Sequence, residues 1–386
     1  MACLSFSGTD DVRALLSSGC PQAKWADALA EQPFALAGGS TRVLLNIGAN
    51  KGFAIAAFIE SWTQRNTSPQ HWHREILGFA RSARAGRLRT LKYLNCGVCS
   101  ACTNRPVRRH RRDEPVIVHA LELLSQNRRL VRYVANATGV ADVVHVHELA
   151  ASNVSGAFFF NASTVGGGVT FGRESTSLCT TARCGADASA KTVSEASGTV
   201  ASAEAAARGQ GKDELVRVEA VSVDDFLERQ GLKHVSLVSI DVEGWDALVI
   251  EGMRRSLTNR AIDVFEFEKV RKAYWSHADP AERRTLRTLL GWLLPLGYEC
   301  FWQADRYLVP ASGACWNDAF EDVGWSNLVC AHQPQVLRFF GEQFNTTREQ
   351  LVEHWQKLAA AKIKAPAHSR LRASIAKSVV TLQSGG

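Results

Sequence analysis

A doubly wound α/β fold around a mostly parallel sheet is what this sequence predicts, on three observations. Short apolar runs alternate with amphipathic stretches in the order β-α-β-α-β, the first run ends in a glycine turn, and two late runs follow each other with no helix between them. The alternation demands crossover connections between parallel strands, and the late pair predicts an antiparallel closure of the sheet.

Taken in order, residues 42–48 form the first expected strand, a buried apolar run stopped by Gly48. From Lys51 to about Trp62 the apolar face Phe53, Ala56, Ala57 and Ile59 continues as a helix. The run VIVHALE at 116–122 is the second strand. It leads into a helix with the buried stripe Leu123, Leu124, Val131, Val134 and Ala135, and Gly139 is its expected stop. VVHVHEL at 143–149 is the third strand. The second half repeats the logic: VSLVSIDVEG at 235–244 is a strand entering a helix, and AIDVFEFE at 261–268 is another strand. A long helix is expected to about Leu296, then YECFWQA at 298–304 and NLVCAH at 327–332 as the antiparallel pair.

Two segments break this rhythm. Residues 65–113 carry a basic, helix-like stretch and the cysteines Cys96, Cys99 and Cys102; residues 161–213 are rich in Ser, Thr, Ala and Gly. Both read as insertions into one domain over residues 42–335, with an N-terminal extension over 1–41 and a C-terminal helix and basic tail over 336–386. The first insertion is expected to leave from the amino-terminal edge of the sheet. The second is expected on the carboxyl edge.

The 386 residues suffice for a full α/β core. The net charge of +7 is moderate and owes part of its size to the run RPVRRHRR at 105–112, so a solvated basic loop is favoured over a nucleic-acid partner. No stretch approaches the ~20 apolar residues of a membrane span, and the first 30 residues lack a cationic start before an apolar core. The chain reads as soluble, in the cytoplasm or in a secretory lumen. Ten cysteines suggest disulfides or metal: Cys96, Cys99 and Cys102 could bind zinc with a fourth ligand from Cys179, Cys184 or His110, with disulfides as the direct competitor and free thiols as the third alternative. Asn-x-Ser/Thr triplets at Asn66, Asn136, Asn153, Asn161 and Asn345 fit a secretory lumen and also arise by chance.

The turn NIGANKG at 46–52 holds the candidate ligand site. A dinucleotide fingerprint needs a middle glycine that Gly48-Ala49-Asn50-Lys51-Gly52 lacks, and a phosphate loop needs Gly-Lys rather than Lys51-Gly52. A glycine turn at a strand end still sets a helix N-terminus beside a ligand, which suits a carboxylate. Glu122, at the carboxyl end of the second strand, can accept hydrogen bonds from both hydroxyls of a ribose; it can also simply start a helix. Asp241 and Glu243 end the apolar strand before a second glycine turn, where they can anchor a substrate hydroxyl, hold an ammonium or take a proton. Helix capping accounts for Glu243 well and for Asp241 less well, since Asp241 is expected to be partly buried.

Together VLLNIGANKG, VHALE and above all VSVDDFLERQGLKHVSLVSIDVEGWDALVIEGM resemble the FkbM-type S-adenosylmethionine-dependent methyltransferases, with the motifs in that family's order from about Arg42 to His332. The resemblance implies a class I, Rossmann-like methyltransferase sheet that binds S-adenosylmethionine through Asn46, Gly48, Asn50, Gly52 and Glu122. Methyl transfer would go to an oxygen of a sugar or related small molecule, with Asp241 first and Glu243 second as proton acceptor or substrate anchor. The family commonly has Asp where Asn46 stands, Lys where Ser239 stands, and a small residue followed by Glu where Trp245-Asp246 stands. The alternatives are a methyltransferase of protein or nucleic acid, and a cofactor-binding module without activity.

Overall fold

The computed structural model describes residues 16, 25–32, 39, 41–82, 113–161, 215–271, 275, 283–303 and 308–344. Both cysteine clusters, the arginine run at 105–112 and nearly all of 161–213 lie outside them.

The first half contains α1 (Trp25–Ala30), β1 (Arg42–Ile47), α2 (Phe53–Trp62), α3 (Pro69–Ser82), β2 (Val116–Leu121), α4 (Ser125–Ala137), β3 (Val144–His147), β4 (Ala150–Ser152) and β5 (Gly156–Asn161). The second contains β6 (Leu215–Ser222), α5 (Val223–Arg229), β7 (Val235–Ile240), α6 (Asp246–Glu251), α7 (Arg254–Thr258), β8 (Ile262–Val270), α8 (Leu286–Leu293), β9 (Glu299–Gln303), β10 (Leu308–Pro310), β11 (Trp325–Ala331) and α9 (Pro334–Phe344).

The main sheet has the order β10-β9-β11-β8-β7-β1-β2-β3. From β3 across to β8 every pairing is parallel, and β11 lies antiparallel between β8 and β9. The expected antiparallel closure is therefore present, extended by the short strand β10. Because successive side chains alternate between faces, the apolar runs supply two cores at once. Leu45, Val238, Phe265 and Trp302 face one way, while Leu44, Val118, Val264 and Phe301 face the other among residues of α1, α2, α4 and α9.

Local caps explain much of the DDFL stretch. Ser222 Oγ accepts the Asp225 N–H at 3.2 Å and starts α5, as an N-cap serine should. The neighbouring Asp224 carboxylate accepts the N–H groups of Arg255 (2.7 Å) and Ser256 (2.8 Å), capping α7 from a distance. One aspartate serves the helix it belongs to, and the other fixes a second helix against the first.

Four expectations change. The boundaries at 41/42 and 335/336 cut through a packed core: Trp25 of α1 meets the Phe340 ring edge-on at 5.8 Å, and Val336 and Phe340 are buried. The described parts of both flanks, Trp25–Ala30 and Val336–Phe340, share one core with α2. The helix after β8 is shorter than expected, with α8 starting at Leu286 and ending in a 3-10 turn at Leu294–Leu296. A second sheet, β4-β6-β5, forms beside the main one. In it β5 runs antiparallel to β6 with Asn161 opposite Leu215.

The last change concerns 65–113. Its first part is α3, which buries Trp72, Ile76 and Ala80 among residues of α2 and α4. Trp72 reaches the glycine turn after β1, donating its indole N–H to the Lys51 carbonyl at 2.7 Å. This part of the segment thus supports the carboxyl edge of the sheet, not the amino edge alone.

Candidate functional site

A cleft enclosing about 750 Å³, part of it open to solvent, lies at the carboxyl ends of β1, β2 and β7. This is where open parallel sheets bind ligands, since the turns that leave adjacent strands in different directions open a crevice there. One wall is the β1 turn with Gly48 and Asn50, another is Glu122 through Leu124 with Asn127, and a third is Leu149 to Ala151; the stretch from Asp241 to Trp245 closes the fourth side.

The β1 turn is shaped by contact with its neighbours. Gly48 has φ +80, and a Cβ there would lie 2.0 Å from the Asp241 carbonyl oxygen, so only glycine lets the ends of β1 and β7 approach this closely. Its amides are already bonded: Gly48 and Ala49 donate to the Leu121 carbonyl at 3.0 and 3.3 Å, Asn50 donates to Glu122, and Gly52 donates to the Ala49 carbonyl at 2.7 Å. The strand pairing continues past the end of β1, so these N–H groups do not face a ligand, contrary to the use expected of a glycine turn. What the turn presents is Asn50, held at φ 46, whose buried Oδ1 has no hydrogen-bond partner. Asparagine tolerates this left-handed backbone better than most residues.

Glu122 is the buried charge of the cleft, 5% exposed. One carboxylate oxygen accepts the Asn50 N–H at 2.7 Å and the other the Leu124 N–H at 2.7 Å. Burial pushes its pKa up, while bonds from Leu124, Asn50 and Asn127 and the charge of Arg128 pull it back. Arg128 in turn donates to the carbonyls of Glu122 (3.1 Å) and Leu123 (2.5 Å) and pairs with Glu148. A carboxylate has about four acceptor sites, so with bonds from Asn50, Leu124 and Asn127 in place Glu122 retains one for a hydroxyl from the cleft.

Asp241 is exposed at the rim rather than partly buried, because β7 ends at Ile240 and its side chain passes beyond the sheet. Glu243 also lines the cleft and has φ 59, a backbone that glutamate rarely adopts. Asp246 holds this turn in place. Fully buried, it accepts the N–H groups of Gly244 and of Glu268 at the end of β8, each at 3.1 Å. Burial raises its pKa well above the usual carboxylate range, and the charges of Asp241 and Glu268 raise it further.

Of the residues expected at the site, the fold brings Gly48, Asn50, Glu122, Asp241 and Glu243 to one cleft, and it places Asn46 and Gly52 elsewhere. Asn46 points to the opposite face with Leu44, in register with Ser239, which is in register with Glu266. Ser239 donates to Glu266 at 2.9 Å, and Gln303 reaches the other Glu266 oxygen at 3.1 Å, which makes a buried polar row. The Asn46 and Ser239 positions are thus neighbours on adjacent strands, and both side chains are neutral. Gly52, at φ +77, is required by the Trp72 ring, which a Cβ would approach to 2.8 Å. Sequence reasoning missed Asn127, the wall from Leu149 to Ala151, Trp72 and Asp246. The pair Trp245-Asp246 was the one signal, present as a departure from the family pattern.

The fold and the cleft define a Rossmann-like α/β protein with a cleft at its strand ends. The family model described as methyltransferase FkbM domain matches residues 46–300, and the chain belongs to that family. Among solved structures, the chain is similar to a methyltransferase FkbM from Methylobacillus flagellatus KT at 10% identity and a TM-score of 0.34, covering 80% of this chain and 48% of that one. The chain thus spans about half the length of that protein. It is also similar to M. capricolum TrmK in complex with S-adenosyl-homocysteine, at 7% identity and a TM-score of 0.30, covering 94% and 96% of the two chains. At these scores neither likeness bears on the acceptor. No curated protein matches the sequence. Among the described residues no helix is long and apolar enough to cross a membrane.

Proposed function

We propose that this chain is an S-adenosylmethionine-dependent O-methyltransferase acting on a hydroxyl of a sugar or related small molecule. The observation that carries the reading is Glu122, a buried carboxylate with spare acceptor capacity, set beside the unpartnered Asn50 Oδ1 in a cleft at the strand ends. A vicinal diol and a cationic amine are the groups these acceptors suit, and a ribose and a methionine moiety bring both. When bound, S-adenosylmethionine supplies a methyl group already activated by its sulfonium.

The protein's tasks are therefore alignment and removal of one proton. Glu122 receives the ribose hydroxyls. Asn50 Oδ1 accepts from the amine. Asp241, solvent-facing at the rim, is the first candidate to take the acceptor's proton or hold its hydroxyl, and Glu243 is the second. Asp246 acts through the turn by fixing Gly244 and hence the direction of both carboxylates.

Calorimetry tests the reading. S-adenosylmethionine and its demethylated product should both bind, and Glu122→Ala should weaken binding by roughly 1.5–3 kcal/mol, the range for hydrogen bonds to a charged group. Binding of NAD without binding of the methyl donor would overturn it. A radiolabelled methyl-transfer screen across glycan, protein and RNA acceptors then decides the acceptor class.

A further inference from the structure

Two of the Asn-x-Ser/Thr triplets open onto one side of the molecule. Asn66 lies in the loop from α2 to α3 and Asn136 in the last turn of α4, and both are exposed. The two stretches meet through Arg65, which donates to the Gly139 carbonyl at 3.3 Å and pairs with Asp142 at 2.5 and 2.7 Å. Because α2 and α4 each run back from the carboxyl edge, Asn136 sits with Arg65 and Asp142 at the amino-terminal edge of the sheet, while from Asn66 the chain turns back along α2, where Thr67 Oγ1 donates to the Ala56 carbonyl at 3.1 Å.

The local bonding of both triplets is compatible with a substituted amide. Ser68 Oγ accepts the His71 N–H at 3.2 Å, and Thr138 Oγ1 donates to the Val134 carbonyl at 2.7 Å, so neither hydroxyl holds its asparagine. Asn136 Nδ2 donates once, to the Arg132 carbonyl at 2.9 Å, and an amide nitrogen that carries a sugar keeps one N–H for that bond. Asn153 differs. It is half-buried, donates to Glu251 at 3.4 Å and accepts from Ser152 at 3.3 Å, and its Cα lies 3.2 Å from where a Cβ on Gly252 would be.

An independent observation concerns the compartment. The cysteines among the described residues, Cys300, Cys315 and Cys330, are all in disulfides, with Cys300 joined to Cys330 across the paired strands β9 and β11. Disulfides form and persist in oxidising compartments, which are also where asparagine triplets are glycosylated.

We propose that the chain matures in an oxidising secretory lumen and carries N-linked glycans at Asn66 and Asn136, while Asn153 stays unmodified. At each site the amide nitrogen attacks the anomeric carbon of a lipid-pyrophosphate-linked oligosaccharide. The N–C bond forms as the C–O bond to the pyrophosphate breaks, the lipid pyrophosphate leaves, and the amide loses one proton. Neither asparagine lines the cleft, so glycans in these positions leave its lining untouched.

The test uses protein isolated from the cells that make it. Enzymatic release of asparagine-linked glycans in heavy-oxygen water, followed by peptide mapping, should convert Asn66 and Asn136 to heavy-oxygen aspartate and leave Asn153 unlabelled. Under non-reducing conditions the peptides containing Cys300 and Cys330 should stay joined. Asn66→Gln and Asn136→Gln, produced in the same cells, should each remove one glycan step on a gel and together remove both, with methyl-donor affinity unchanged. Unlabelled Asn66 or Asn136 overturns the assignment at that position, label at Asn153 overturns the exclusion, and free thiols at Cys300 and Cys330 overturn the compartment.

Discussion

Replacing Gly48 by Ala tests whether the close approach of β1 and β7 builds the cleft. Two costs combine. At φ +80 an alanine sits in the left-handed region, at about 1–2 kcal/mol. Its Cβ would also stand 2.0 Å from the Asp241 carbonyl oxygen, and this is a backbone atom that cannot rotate away, so the ends of β1 and β7 must part, at about 1–3 kcal/mol for such overpacking. The sum is roughly 2–5 kcal/mol. Gly139→Ala is the control, because Gly139 has φ +71 but open space around its missing Cβ, so only the backbone cost applies. Urea unfolding of the two variants gives the difference directly from midpoints at constant slope. Gly48→Ala should be the less stable by about 1–3 kcal/mol, the overpacking cost alone. Calorimetry should show methyl-donor affinity reduced in Gly48→Ala and kept in Gly139→Ala. Equal destabilisation by the two changes would refute the contact argument, and full affinity in Gly48→Ala would refute the placement of the cleft.

Three further outcomes are expected. Asp241→Asn keeps shape while removing charge, so turnover should fall more than methyl-donor affinity, and an unchanged turnover would return Asp241 to a surface role. Glu243→Gly should relieve about 1 kcal/mol of backbone strain at φ 59 and lower turnover, so its urea midpoint should rise or hold; a clear fall would mean that the side-chain contacts of Glu243 outweigh the strain. Lys269, buried and donating to the carbonyls of Glu321 (2.6 Å) and Val323 (3.1 Å), has its pKa lowered to about 8 by burial. Between that value and its unfolded pKa the unfolded chain binds the extra proton. This group should therefore make stability rise with pH from about 8 to 10, and Lys269→Met should flatten that rise in pH-dependent urea unfolding.

The order of the parallel strands of the main sheet was legible from apolar runs because a sheet buried on both faces needs nearly continuous apolar sequence, and VLLNI, VIVHAL and VSLVSI supply it. Glu122, Asp241 and Glu243 were legible for a related reason: each stands where an apolar run stops, and open parallel sheets place ligands at those stops. Position along a strand is a property of the sequence, and with it comes the edge of the sheet a residue reaches.

Which face a side chain takes, and what covers that face, depended on tertiary structure. Asn46 and Gly48 are two residues apart and were expected to serve one ligand. Asn46 belongs to the polar row with Ser239 and Glu266 beneath α2, while Gly48 is held at the cleft by Asp241. Gly52 has the torsion expected of a ligand turn but owes it to Trp72, twenty residues further on in a segment that looked like an insertion. Trp25 and Phe340 lie at opposite ends of the described chain and complete one core. Each of these contacts joins residues distant in sequence, and its free energy depends on the burial that both partners achieve together, which no local pattern of either partner encodes.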